Sequence, residues 1–209
     1  DRRRCRDAAG SLTAGIVLDT RNSAVLPSSG VRLGLTWEYA GQWLGGDFDF
    51  NKWTLDGEGY WTLLESPTGL KHVLSARFNL GLADQDPPFF ERFYRGGRGS
   101  IRGFAYRGIG PREDGDPVGG QAYVFGSVEY TFPLFTEHLR GAVFFDVANL
   151  TRDFDQLAHD PWRATAGVGI RFTIPFLSQI PIALDFGFPL SKGDEDDELN
   201  DEGEDPGER

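Results

Sequence analysis

Apolar and polar residues alternate along most of this chain, with the period of two that marks a strand with one apolar face. Val31, Leu33, Leu35, Trp37 and Tyr39 share one face, opposed by Arg32, Gly34, Thr36 and Glu38. Leu12, Ala14, Ile16 and Leu18 form the same pattern earlier, and Leu74, Ala76, Phe78, Leu80 and Leu82 form it later against Ser75, Arg77 and Asn79. Ala122, Val124, Val128, Tyr130 and Phe132 oppose Gln121, Ser127, Glu129 and Thr131. Leu139, Val143, Phe145 and Val147 oppose Arg140, Phe144 and Asp146. Two further runs, Ala164 to Ile174 and Ile180 to Phe188, repeat the pattern with Arg171 and Asp185 on their polar faces. With a less regular run from Trp53 to Leu63, the periodicity predicts eight strands and no helix.

Length bears on where such strands sit. Several runs reach about ten to twelve residues, whereas strands of soluble domains cluster near 5–6 and a bilayer needs roughly 9–11 tilted residues. A soluble barrel would turn the apolar faces inward and leave Arg77, Glu129, Asp146, Arg171 and Asp185 in water. A membrane barrel would turn them to lipid and line a wet lumen with the charges. Two features favour the membrane. Aromatic pairs (Trp37 and Tyr39, Tyr130 and Phe132, Phe186 and Phe188) stand near strand ends, as interfacial girdles do. Connections are tight from Phe132 to Leu139 and from Ile174 to Ile180, but long over Ala83–Gly120, over Ala148–Trp162 and after Leu190.

Composition adds constraints. The 209 residues include 28 glycines and 17 phenylalanines, the mixture of many strands joined by turns. The net charge is −11, and the run from Gly193 to Arg209 holds ten acidic residues against one basic, so the body of the chain is close to neutral. That run, within 191–209, reads as a solvated acidic loop or tail; it lacks the spaced oxygens and turn glycine of a calcium loop. Cys5 is the lone cysteine, which excludes an intrachain disulfide and a cysteine-based zinc site. No stretch of 18 apolar residues offers a membrane helix, which leaves a transmembrane β-barrel open.

Catalytic patterns are lacking. His72, His138 and His159 are scattered without ligand spacing, and no nucleophile elbow or Walker-type lysine is present. The expectation is a protein that is not an enzyme and has no cofactor or metal. Nucleic-acid binding is disfavoured by the acidic balance.

The stretch FYRGGRGSIRGFAYRGIGP, Phe93 to Pro111, packs six glycines and four arginines between strands. Such a loop either grips an outside anion or is held by carboxylates of the protein itself. A dinucleotide loop is a poor match, because Gly97, Gly99 and Gly103 miss the fingerprint spacing and no helix follows.

IRGF (Ile101, Arg102, Gly103, Phe104), after FYRGG and before IGP and VGG, resembles the long sixth loop of BamA-type outer-membrane assembly factors. LDTRNSAVLPSSG (Leu18–Gly30) resembles that family's D-x-R turn, VFFDVANL (Val143–Leu150) its strand with an inward aspartate, and Gly167–Leu190 the two strands after it. The four segments occur in family order. The resemblance implies an all-β, antiparallel transmembrane barrel, with about eight of 16 strands present over residues 1–209. It implies that the loop over 83–120 folds into the lumen, that Arg102 pairs with Asp146 and that it packs against Phe144. The neighbouring Arg95, Arg98 and Arg107 are expected to serve loop solubility or lipid headgroups.

The function so implied is outer-membrane β-barrel assembly and insertion, without enzymatic chemistry, in the outer membrane of a Gram-negative-type envelope. Partners would be the lipid bilayer, unfolded outer-membrane proteins and accessory lipoproteins reached through periplasmic POTRA domains. Those domains, the first strands and the closing strand are absent from the sequence, so the chain is expected to be a fragment of a longer protein. Lateral opening between the first and last strands, the insertion route proposed for the family, would lie outside it. Rival readings are a two-partner-secretion or TamA-like translocation pore of the same superfamily and, in a different class, a passive porin.

Overall fold

A computed structural model describes residues 9–97, 99–136, 138–174 and 178–191. Cys5, Arg98 and the acidic run from Gly193 to Arg209 lie outside the described residues. The eight anticipated strands form one antiparallel sheet. Its strands are β1 (Ser11–Asp19), β2 (Gly30–Ala40), β3 (Phe50–Glu65), β4 (Lys71–Ala83), β7 (Ala122–Thr136), β8 (Leu139–Thr151), β9 (Arg163–Ile174) and β10 (Ser178–Ser191). They pair in sequence order from β1 to β10, and no pairing joins β1 to β10 among the described residues. Inside the long loop, β5 (Arg112–Glu113) and β6 (Asp116–Pro117) make a small separate hairpin. It turns at Asp114 and Gly115, whose φ values are +51° and +83°, a two-residue Asp-Gly turn with both residues left-handed. The alternation analysis did not anticipate this hairpin, because two-residue strands carry no periodicity.

The alternating faces are sorted with the apolar one outward. Ile16, Leu35, Val143, Val168, Leu184 and Phe186 are exposed, whereas Ser127, Asp146 and Thr165 are buried. That is the arrangement of a membrane barrel and the reverse of a soluble one. Aromatics gather at both ends of the strands: Trp37 packs by Tyr39, and Tyr39 stacks on Trp43, at the loop rim. At the turn rim Tyr130 lies beside Phe132 and accepts or donates a 2.7 Å hydrogen bond with His72.

The strands exceed their expected lengths. The run expected over Trp53–Leu63 is a 16-residue strand whose register shifts between Thr62 and Leu64. One extra residue there puts Leu63 and Leu64 both outward, at 52% and 62% exposure, so the period of two is lost locally. Within the expected run itself the apolar face is interrupted by Gly57 and Gly59, which lie under the rings of Phe78 and Trp61.

Because the outer surface is the apolar one, the packed interior lies between the long loop and the inward faces of β7 and β8. Ile101 and Ile109 of the loop pack with Phe125 and Ala148 of the wall, with Phe104 against them. Phe93 packs with Tyr123 and Leu150 nearby. The outward assignment makes a direct prediction. Val143→Arg, at a lipid-facing position of β8, should weaken folding into a bilayer by roughly 2–4 kcal/mol, as an arginine near the midplane does. Urea titration of the protein in vesicles measures this, and an unchanged midpoint would place Val143 away from lipid.

Candidate functional site: a pinned arginine in the lumen

Strand parity and register place the wall groups. Ser127 and Glu129 project inward from β7, Phe144 and Asp146 from β8, Thr165 and Arg171 from β9, and Asp185 from β10, because alternate residues of each strand face the lumen. Pairing sets Ser127 opposite Asp146 on one rung and Glu129 opposite Phe144 on the next. Asp146 in turn faces Thr165, Phe144 faces Gly167, and Gly169 faces Asp185.

Arg102, from the loop, enters this array. Its Nε and Nη2 donate to the two carboxylate oxygens of Asp146, each at 2.7 Å, a bidentate geometry that lysine lacks. Its backbone N–H donates to the same carboxylate at 3.2 Å. Nη1 donates to Glu129 at 2.6 Å, and Nη2 to the Ser127 hydroxyl at 3.2 Å. The flat face of the guanidinium lies 3.4 Å from the centre of the Phe144 ring, within the range of a cation–π contact. Asp146 is fully buried.

The arginine is not the sole cation of the cluster. Arg171 donates to Glu129 at 2.7 Å and to Asp185 at 2.6 Å, and Asp185 also lies 3.6 Å from Arg102. Two guanidiniums thus share three carboxylates, with Glu129 bridging both. The alternation exposes Glu129, Arg171 and Asp185 as inward charges, but nothing in the sequence says that they converge. Register alone brings them together.

Each residue of the IRGF stretch has a separate job. Ile101 is fully buried against the wall cluster. Gly103 has φ +85°, and a Cβ there would lie 3.0 Å from the Gly187 carbonyl oxygen. Gly187 reciprocates: its own Cβ would lie 3.0 Å from the Gly103 nitrogen. The loop tip therefore rests on the backbone of β10, an approach that only glycine on both sides allows. Phe144 lies across Gly167, where any Cβ would run into its ring. The single loop residue pair 102–103 so touches four consecutive strands, β7 to β10.

One expectation needs revision. Arg95 does not serve solvent or lipid: it stacks on Tyr123, 3.6 Å from the ring centre, and donates to Asn79 at 2.9 Å. Arg107 stacks on Tyr94 at 4.1 Å and is exposed, as expected of a residue that serves loop solubility. The Arg95 contacts were not visible in the sequence, since Tyr123 and Asn79 are inward residues of β7 and β4 that meet the loop only in three dimensions. Below the tip a cavity of about 400 Å³ is lined by Arg77, Arg140, Glu129 and Arg171 on the wall and by Val25 and Leu26 of the β1–β2 turn. Among the described residues no group of three or more His, Cys, Asp or Glu could hold a metal ion.

Comparison with known proteins agrees with this architecture. A family model described as the Omp85 superfamily domain matches residues 3–202. The outer membrane protein assembly factor BamA of Nitratidesulfovibrio vulgaris is 34% identical over 187 residues, covering 84% of this chain and 22% of the relative. The human sorting and assembly machinery component 50 homolog is 36% identical over 152 residues, covering 67% of this chain and 31% of the relative. The chain thus spans about a third or less of these relatives. The crystal structure of BamA from Haemophilus ducreyi lacking POTRA domains 1–3 superposes with a TM-score of 0.73 at 24% identity, covering 88% of this chain and 39% of that one. It shares the fold.

Proposed function

Because the chain belongs to the Omp85 superfamily, we propose that it is the C-terminal barrel part of an outer-membrane protein assembly factor. It works without bond-making chemistry, by lowering the barrier for strands of client barrels to enter the bilayer. Its location is the outer membrane of a Gram-negative-type envelope. Its partners are lipid, unfolded outer-membrane proteins and accessory lipoproteins that dock on periplasmic domains of the whole protein. The names of both relatives, each an assembly component, favour this reading over a secretion pore.

One observation carries it: Arg102 of a glycine-rich loop, held bidentate by a fully buried aspartate inside the lumen. A passive pore gains nothing from a tie of this kind, in which residues 102 and 103 of the loop touch the four strands β7 to β10 from inside. In an insertase the same tie holds the inner faces of these strands in register while client strands are added elsewhere in the whole barrel. The physical basis is a charge-assisted bidentate pair away from water, which fixes the loop against the wall with a geometry that a lysine would not hold.

The test is a charge reversal in the intact protein. Arg102→Glu should lower the steady-state level of other outer-membrane barrels several-fold, while its own level, read by immunoblot, falls less. Adding Asp146→Arg should restore part of the loss. Normal client levels with a folded Arg102→Glu protein would overturn the assignment of the loop to assembly.

A further inference from the structure

Arg95 repeats the chemistry of Arg102 nearer the loop rim. Its guanidinium lies over the Tyr123 ring at 3.6 Å and its Nη2 donates to Asn79 at 2.9 Å. The Tyr123 hydroxyl donates to the same amide oxygen. Tyr123 is almost wholly buried, at 1% exposure, and crosses β4 at Gly81, where a Cβ would strike its ring. The ring is therefore fixed by the wall and the arginine is fixed by the ring.

The backbone closes at the same place. Phe93 and Gly120 exchange two hydrogen bonds of 2.9 Å, and the Ile109 N–H donates to the Arg95 carbonyl at 3.3 Å. These two rungs join the outgoing and returning arms of the loop into a neck. Beyond them lie residues 96–108, where Gly96, Gly97, Gly99 and Gly103 all have positive φ. The neck is built from side-chain anchors and the tip from pliable backbone.

We propose that Arg95 is a positioning residue: it clamps the neck of the loop to β4 and β7, so that the tip alone exchanges between docked and released states. Arg102 then reaches Asp146 from a fixed pivot. Without the clamp the moving segment would be the whole of residues 84–121. Closure entropy grows with the logarithm of loop length, so shortening it to 96–108 raises the local concentration of Arg102 at Asp146 roughly five-fold. Ring stacking needs the planar guanidinium, so lysine at position 95 would be a poor substitute. The inference concerns how the loop is held and does not depend on what the whole protein assembles.

Hydrogen exchange of the intact protein in lipid nanodiscs tests it, with the Arg102 amide, which donates to Asp146, as reporter of tip release. Arg95→Ala should speed exchange at Arg102 about five-fold and also deprotect Phe93, Ile109 and Gly120. Arg102→Ala should deprotect residues of the tip and leave those three neck amides unchanged. Should Arg95→Ala assemble too poorly to measure, Arg95→Lys serves in its place, with the β8 and β9 strand amides as the check on folding. Unchanged exchange at Arg102 in the position-95 variants, or a neck that opens when Arg102 is removed, would overturn the clamp. Client levels do not enter the readout, so failure here and failure of the assembly role are separable.

Discussion

Arg102→Ala is expected to destabilise the docked state by roughly 3–5 kcal/mol, the cost of removing one partner from a buried ion pair. It should be worse than Asp146→Asn. The reason lies in what each change leaves behind. Without the arginine, Asp146 remains fully buried and keeps the 102 backbone N–H as its hydrogen-bond donor. Glu129 and Asp185 are shielded from that loss, because Arg171 still donates to both at 2.7 and 2.6 Å. Without the aspartate charge, Arg102 still reaches Glu129 at 2.6 Å and Ser127 at 3.2 Å. The double change Arg102→Ala with Asp146→Asn should therefore recover about 1–3 kcal/mol relative to Arg102→Ala alone, since no buried charge is then unpaired. Denaturant midpoints of the intact protein in lipid measure all three. A double variant no more stable than Arg102→Ala would mean that Asp146 is solvated and that the pair is not buried in the working protein.

The second large effect concerns backbone contact. Gly103 combines φ +85° with a Cβ position 3.0 Å from the Gly187 oxygen, whereas Gly99, with φ +87°, has nothing within 4 Å. Gly99→Ala therefore reports the left-handed strain alone, about 1–2 kcal/mol. Gly103→Ala adds a collision with β10 and should cost about 1–3 kcal/mol more, as overpacking does. Gly187→Ala carries the collision without positive φ, its Cβ falling 3.0 Å from the Gly103 nitrogen and 3.1 Å from the Arg102 carbonyl carbon. The combination of Gly103→Ala and Gly187→Ala should be less than additive, because the second Cβ meets a tip already displaced. Limited proteolysis of the tip, expressed as a cleavage rate, ranks the variants. Equal rates for Gly99→Ala and Gly103→Ala would show that the tip does not rest on β10.

Why the sorting of faces could be read early is plain from particular strands. On β8, Val143 and Phe145 point outward while Phe144 and Asp146 are buried, and this follows from a period of two that the backbone geometry enforces. The direction of the sorting was harder. Alternation is symmetric, so a soluble barrel and a membrane barrel write the same string. Strand length and girdle aromatics favoured lipid, and the three-dimensional placement of Ser127, Asp146 and Thr165 inside decides it. β3 shows the limit of periodicity, since one shifted register between Thr62 and Leu64 erased the signal over its last turn-side residues.

The candidate site divides in the same way. The chain alone determined the strands and their inward charges, and the resemblance of its motifs to the BamA-type family implied the pairing of Arg102 with Asp146 and Phe144. The strands and their faces are properties of local period. Only the tertiary structure decided that Glu129, Arg171 and Asp185 join that pair, that Arg95 stacks on Tyr123, and that Gly103 lies on Gly187. Each of those contacts joins residues far apart in the chain through strand register and the path of a long loop. Register depends on the sum of many weak cross-strand pairings, and no single stretch of sequence records that sum.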